Sequence, residues 1–356
     1  MARLAFEVVC RTAMSLGAAW LIGCQGDDLP PLQVEGDILS YAADEPVCEQ
    51  TVEYGERWMV AVADRLGITP EELLHTTYYR LDTQSVTNRC GQGASGCMRA
   101  EGDELRIYDD SLLAKHELVH AIHRSAWPRR RPLLTEGLAQ LFDDEQPQPF
   151  PGLDVPGLDL DLDAQIEADD AEPATYVAGS WIVHWIVQRH GIDAFREFWH
   201  ADDPETDADE FRALFEQHFG ESLDVMLAAV EGQPACPLLT CVEELVPWQA
   251  DVWTTSSPTS CDDGLTIGDH GSGKLERSVL IEVPAAGSYA VTVSSSELNQ
   301  GAFIHPCAGP CPSAADNGNY FAGTTRDLVL EPGLHRVTTF KLDASDPGVS
   351  VEIRPN

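Results

Sequence analysis

A chain of 356 residues, 43% hydrophobic and 23% charged, has material for two domains, since a single core stops growing at roughly 250 residues. That composition argues against wholesale disorder and against a polytopic membrane protein. With 59 Asp and Glu against 22 Lys and Arg, the formal charge is -37, a surface that repels phosphate backbones and argues against nucleic acid as a partner.

At the N-terminus, Arg3 and Arg11 precede an apolar run over 12–23 that is too short for a permanent membrane span, so residues 1–23 read as an export signal. Leu21-Ile22-Gly23-Cys24 resembles the lipobox of bacterial lipoproteins. The resemblance implies cleavage before Cys24, acylation of that residue, and a lipid anchor at the cell envelope; a conventional secretory signal is the alternative. Residues 24–45 are expected to be a tether. Of the ten cysteines, Cys10 and Cys24 belong to this leader region, and the even remainder suits disulfides in an oxidising compartment. Close spacing favours Cys90 with Cys97, Cys236 with Cys241 and Cys307 with Cys311, although spacing leaves the connectivity open.

Residues 47–66 carry apolar side chains at helical spacing and end at Gly67, which predicts a helix. The Thr- and Tyr-rich run 76–81 and the segment 104–108 predict strands, joined by a glycine-rich loop between Cys90 and Cys97. Asp110-Ser111 offers an N-cap for a helix running to about Arg124. Helices are then expected over 132–142, 173–190, 192–199, 207–219 and 222–230, the second of them apolar on more than one side and therefore buried. Beyond Gly232 the texture changes to turn residues and short alternating runs such as Val279, Ile281, Val283 and Val349, Val351, Ile353, about six strands of a β-sandwich. The stretch 277–294 resembles the start of the jelly-roll-like domains appended to secreted bacterial peptidases.

The chemistry is concentrated in His116-Glu117-Leu118-Val119-His120. At about 100° per residue, His116 and His120 lie one helical turn apart on nearly the same face, so both imidazoles reach one ion. Glu117 projects to their flank, where it can act on a water rather than ligate, as a general base for hydrolysis requires. Catalytic zinc keeps three protein ligands, so a third must come from downstream. Glu136, on the predicted helix 132–142, is the candidate.

The set His116, Glu117, His120 and Glu136 resembles the gluzincins, metallopeptidases whose third zinc ligand is a glutamate. Leu134-Thr135-Glu136-Gly137-Leu138-Ala139 is similar to the second-helix signature of the bacterial peptidase MA-like members. That resemblance implies Zn2+ as cofactor, His116, His120 and Glu136 as its ligands and Glu117 as the catalytic base. The helix from Tyr176 matches the one that follows the ligands in this group, where a tyrosine or histidine hydrogen-bonds the oxyanion; Tyr176 is preferred and His184, on the same face, is the alternative. His123 reads as a neighbour of the ligands or a surface residue, and Lys115 as solvated. Asp159, Asp161 and Asp163 have calcium-loop spacing, but Ala164 replaces the turn glycine, so an acidic solvated loop is expected.

The expected fold is α+β: a mainly helical, zincin-like domain with a small sheet over 46–235, a linker over 236–260 and an all-β sandwich over 261–356. The expected function is zinc-dependent hydrolysis of peptide bonds in a protein or peptide substrate outside the cytoplasm. A catalytically inactive lipoprotein of gluzincin fold that acts as a binding module is the alternative.

Overall fold

The computed structural model describes residues 29–102, 104–143, 161–230, 238–257, 260–262, 264–269, 274–295, 301–307, 319–321, 323–341 and 348–356. The export signal, Cys24, Asp159, Cys236 and Cys311 lie outside the described residues. Strands β1 (Leu32–Glu35) and β2 (Leu39–Ala42) lead into helix α1 (Gln50–Arg65), followed by β3 (Thr76–Arg80), α2 (Thr83–Cys90), β4 (Gly96–Glu101) and β5 (Glu104–Asp109). One sheet results, in the order β1-β2-β3-β5-β4; β2, β3 and β5 are parallel, and each edge strand is antiparallel to its neighbour.

Tyr41 and Tyr78, on adjacent central strands, stack at 5.0 Å. Their hydroxyls donate to the carbonyls of Leu112 and Ser111 at 2.6 and 3.2 Å, and the Tyr78 oxygen accepts the Ala114 amide at 3.0 Å. The buried end of the sheet thus fixes where α3 (Lys115–Ala126) begins.

After α3 come α4 (Pro132–Phe142), α5 (Leu162–Ile166), α6 (Pro173–His190), α7 (Ile192–Ala201), α8 (Ala208–Phe219) and α9 (Leu223–Val230). Arg131, just before α4, is buried and pays its desolvation through Asp202 at 3.0 Å and the carbonyls of Ile166 and Asp203 at 2.7 and 2.8 Å, which ties α4 to α5 and to the end of α7. Helix α6 is apolar around much of its surface because Ala178, Ile182, Val183 and Ile186 are all fully buried. It crosses α4 at a pair of glycines. A Cβ on Gly179 would sit 2.1 Å from the Leu133 carbonyl oxygen, and one on Gly137 2.3 Å from that of Gly179, so no other residue allows this approach.

The remaining strands are β6 (Trp253–Ser256), β7 (Thr266–Asp269), β8 (Lys274–Val283), β9 (Gly287–Ser294), β10 (Gly301–Pro306), β11 (Asn319–Phe321), β12 (Thr324–Leu330), β13 (Gly333–Lys341) and β14 (Ser350–Pro355). They form two antiparallel sheets, β11-β10-β13-β8-β7 and β12-β9-β14-β6, which enclose Val279, Ile281, Ile304 and Val337 from the first and Trp253, Val291, Val351 and Ile353 from the second. This is a β-sandwich with its own core. It is nonetheless tied to the first unit. Ile267 of β7 belongs to the core around α1, Cys48 is bonded to Cys261, and the backbone of Gly268 bonds Cys48 N and Thr51 Oγ1 at 2.9 and 3.0 Å.

Several expectations need correction. Part of the supposed tether, residues 32–42, forms two strands, because the edge of β3 offers a ladder to be completed. The glycine-rich loop is flanked by two elements that were not expected, α2 before it and β4 after it, and the supposed linker contains β6. Helix α3 starts at Lys115, with Ala114 as its cap, instead of at Ser111. Cys90 pairs with Cys97 as expected, but Cys241 pairs with Cys307 rather than within either short loop. Where an acidic solvated loop was expected, Asp161 caps α5 and Asp163 pairs with Arg212 at 2.8 Å. Disulfides of this kind place the protein in an oxidising, extracytoplasmic setting. Among the described residues, no helix is long and apolar enough to cross a membrane.

Replacing Gly179 by Ala forces the helix crossing apart. The expected loss is about 3 kcal/mol of unfolding free energy, measured by denaturant titration, the usual upper size of an overpacking penalty.

Candidate metal centre

Helix α3 carries His116 and His120, and α4, reached through the pinned Arg131, presents Glu136 against them. The Nε2 atoms of the two histidines are 3.2 Å apart, and Glu136 Oε2 lies 3.0 Å from the first and 3.3 Å from the second. These three atoms make the one group of metal-ligating type found among the described residues. Four donors placed tetrahedrally at zinc-ligand bond lengths of about 2.0–2.1 Å stand about 3.3 Å from one another, so the triangle has the size that zinc needs.

Each imidazole is held from behind. The Gln140 carboxamide meets His116 Nδ1 at 3.4 Å, and His123 Nε2 meets His120 Nδ1 at 3.3 Å, which turns both Nε2 atoms toward Glu136. His123 is buried against Trp199, and burial, with the neighbouring His120, holds its pKa well below the usual value. It is therefore neutral and can accept from His120. Burial by itself would lower the His116 pKa, but the hydrogen bond to Glu136 and the charges of Glu117 and Glu136 lift it to about 9. The Glu136 carboxyl is depressed: burial opposes ionisation, and the adjacent imidazoles outweigh it.

Glu117 is buried on the flank of the pair, beside β4. A Cβ on Gly96 would lie 3.2 Å from Glu117 Cγ and 1.9 Å from Asp109 Oδ2, so the glycine lets the edge strand close onto both acids. Burial, opposed by hydrogen bonds from Ser111 and reinforced by the charge of Glu117, pushes the Asp109 carboxyl up to about 6. Tyr176, at the start of α6, stacks on the His116 ring at 5.8 Å. Burial, the charges of Glu136 and Glu117 and a hydrogen bond to Glu136 push its hydroxyl pKa up, so it stays a proton donor.

Glu117, His120, Glu136 and Tyr176 line a cleft of about 400 Å³, walled by Gly96, Cys97, Met98 and Ala100 of β4 on one side and reaching Asp170, with His116 behind the ring of Tyr176. The structure therefore brings together His116, Glu117, His120, Glu136 and Tyr176. His184 is absent from the cleft lining and lies 2.7 Å from the Gln188 amide. Lys115, expected in solvent, is buried over the rings of Tyr54 and Trp58. Sequence reasoning missed Gln140; its position four residues after Glu136, hence on the same helical face, was the available signal.

No protein-family model matches the chain, and neither does any curated protein. Solved structures that resemble part of it include the pre-peptidase C-terminal domain of a collagenase from Bacillus anthracis, at 16% identity over 33% of this chain and 98% of that one, TM-score 0.21. PliG of Aeromonas hydrophila, a periplasmic inhibitor of g-type lysozyme, matches at 13% over 32% and 98%, TM-score 0.20. The secreted serine protease VesC of Vibrio cholerae matches at 15% over 31% and 22%, TM-score 0.17. Likeness at this level carries no argument about activity.

Removal of either supporting group, by Gln140→Leu or His123→Phe, is expected to weaken zinc binding by about tenfold or more in a chelator competition, as loss of such outer partners does in metal sites.

Proposed function

We propose that this chain is a zinc-dependent metallopeptidase of gluzincin type, acting on proteins or peptides outside the cytoplasm and held at the cell envelope through an acylated Cys24. The observation that carries the reading is the 3.0–3.3 Å triangle of His116, His120 and Glu136 with Glu117 beside it in an open cleft. His116, His120 and Glu136 would hold the ion, which supplies Lewis acidity to the scissile carbonyl and to the attacking water.

The remaining work falls to the chain itself. Glu117 takes the proton of the attacking water and returns it to the leaving amine nitrogen. Tyr176, kept protonated, donates to the oxyanion that develops on the carbonyl. Strand β4 is the sheet edge that lines the cleft, so an extended peptide can add to it through main-chain hydrogen bonds. That edge favours a peptide over other amides, and the intact set of four site residues favours an enzyme over an inactive binding module.

The mature protein is expected to contain one equivalent of zinc and to cleave members of a peptide library. Glu117→Gln should retain the zinc and lose cleavage, and Tyr176→Phe should lower kcat by about 100-fold with little change in KM, the usual effect of deleting one oxyanion donor. Wild-type protein without zinc, or a Glu117→Gln variant that cleaves normally, would overturn the proposal.

A further inference from the structure

A line of buried polar side chains connects the β-sandwich to the first turn of α3. Arg336 of β13 stands 3.7 Å from Glu243 Oε1, with 5% and 1% of the two side chains exposed. The same oxygen accepts the hydroxyl of Tyr54, on α1, at 3.0 Å. The Nζ of Lys115 lies 5.2 Å from the centre of the Tyr54 ring and 5.9 Å from that of Trp58, one turn further along α1. Lys115 is the first residue of α3 and immediately precedes His116.

Burial makes this line consequential. A guanidinium removed from water requires a carboxylate nearby, and for Arg336 Glu243 is one. The ring faces attract Lys115, and the hydroxyl of Tyr54 fixes the orientation of one of them. The turn that Lys115 occupies has no side-chain cap at Ala114. Beside the buried side chains of Leu113 and Leu118, the Tyr78 hydroxyl on the sheet side and Lys115 on the α1 side hold it.

We infer that Glu243 is a positioning residue for the metal centre: it orients Tyr54, Tyr54 seats Lys115, and Lys115 sets the helical turn that carries His116. The β-sandwich is thus a working part of the catalytic unit, since it supplies Arg336 against Glu243 and Ile267 to the first core. The inference rests on the metallopeptidase reading for its metal readout alone.

The test uses the full mature chain with Tyr54→Phe, which deletes one oxygen, and Glu243→Gln, which deletes one charge. In metal-free protein, amide hydrogen exchange over residues 113–121 should accelerate about threefold or more in both variants, with the sandwich strands at 279–283 and 289–293 unchanged. Zinc affinity, measured by chelator competition, should fall about tenfold. If Glu243→Gln does not fold, Tyr54→Phe carries the test. Wild-type exchange over 113–121 in Tyr54→Phe, or acceleration spread equally through the sandwich, would overturn the inference. Local acceleration in a wild-type background that binds no zinc would sink the metallopeptidase reading and leave the link from Glu243 to α3 standing.

Discussion

Backbone meets backbone where α4 crosses α6, and the candidate centre depends on that contact. With only hydrogen on the facing Cα atoms of Gly137 and Gly179, the helices approach until a carbonyl oxygen occupies the space a methyl group would need. Glu136 precedes the first glycine and Tyr176 stands one turn before the second. The distance between helix axes thereby becomes the distance between a carboxylate and a phenol. A larger residue at either position would widen the gap by more than the tolerance of a hydrogen bond. The buried Arg131 completes the constraint from the other end, since its guanidinium fixes how α4 leaves the preceding loop.

What the crossing assembles is an electrostatic arrangement with little slack. Two imidazole edges and one carboxylate oxygen converge, each backed by a partner: Gln140 behind His116, His123 behind His120 and the Tyr176 hydroxyl on Glu136. Burial disfavours every charge in the group, and mutual attraction outweighs it for His116 and Glu136. For His123 the pull of Glu136 does not offset burial and the neighbouring His120, so it stays neutral and can accept a hydrogen bond from its neighbour. The three donor atoms already stand at the spacing that ligands of one tetrahedral ion would have. The edge strand brings its backbone to the same cleft because Gly96 has no side chain to hold it away from Asp109 and Glu117.

The β-sandwich shares this economy of contact. Alternating residues on its two sheets make a separate core, yet a disulfide, one buried isoleucine and the Arg336, Glu243 and Tyr54 line join it to the helix packed against α3. Among the described residues, this acidic chain has placed Arg131, Lys115 and Arg336 in its interior, each against a carboxylate, a carbonyl or an aromatic face. Buried cations of this kind fix relative orientation, because each tolerates few alternative positions.

The pattern of side chains by itself determined whatever has a local period. The spacing of His116 and His120 follows from the pitch of one helix, the strands at 279–283 and 349–353 from alternation, and the burial of α6 from a surface apolar on several sides. Short-range order stopped there. Strands of four residues such as β1 and β2 carry too little alternation to stand out from a tether, and only pairing with β3 makes them a sheet. Lys115 looked solvated because nothing within a few residues covers it; its cover comes from α1. Cysteine spacing favoured near partners, whereas the fold brings Cys241 to Cys307 and Cys48 to Cys261. The meeting of Glu136 with the two histidines was decided by tertiary structure alone, because it requires two helices to cross at a distance set by glycines that a linear sequence lists but does not bring face to face.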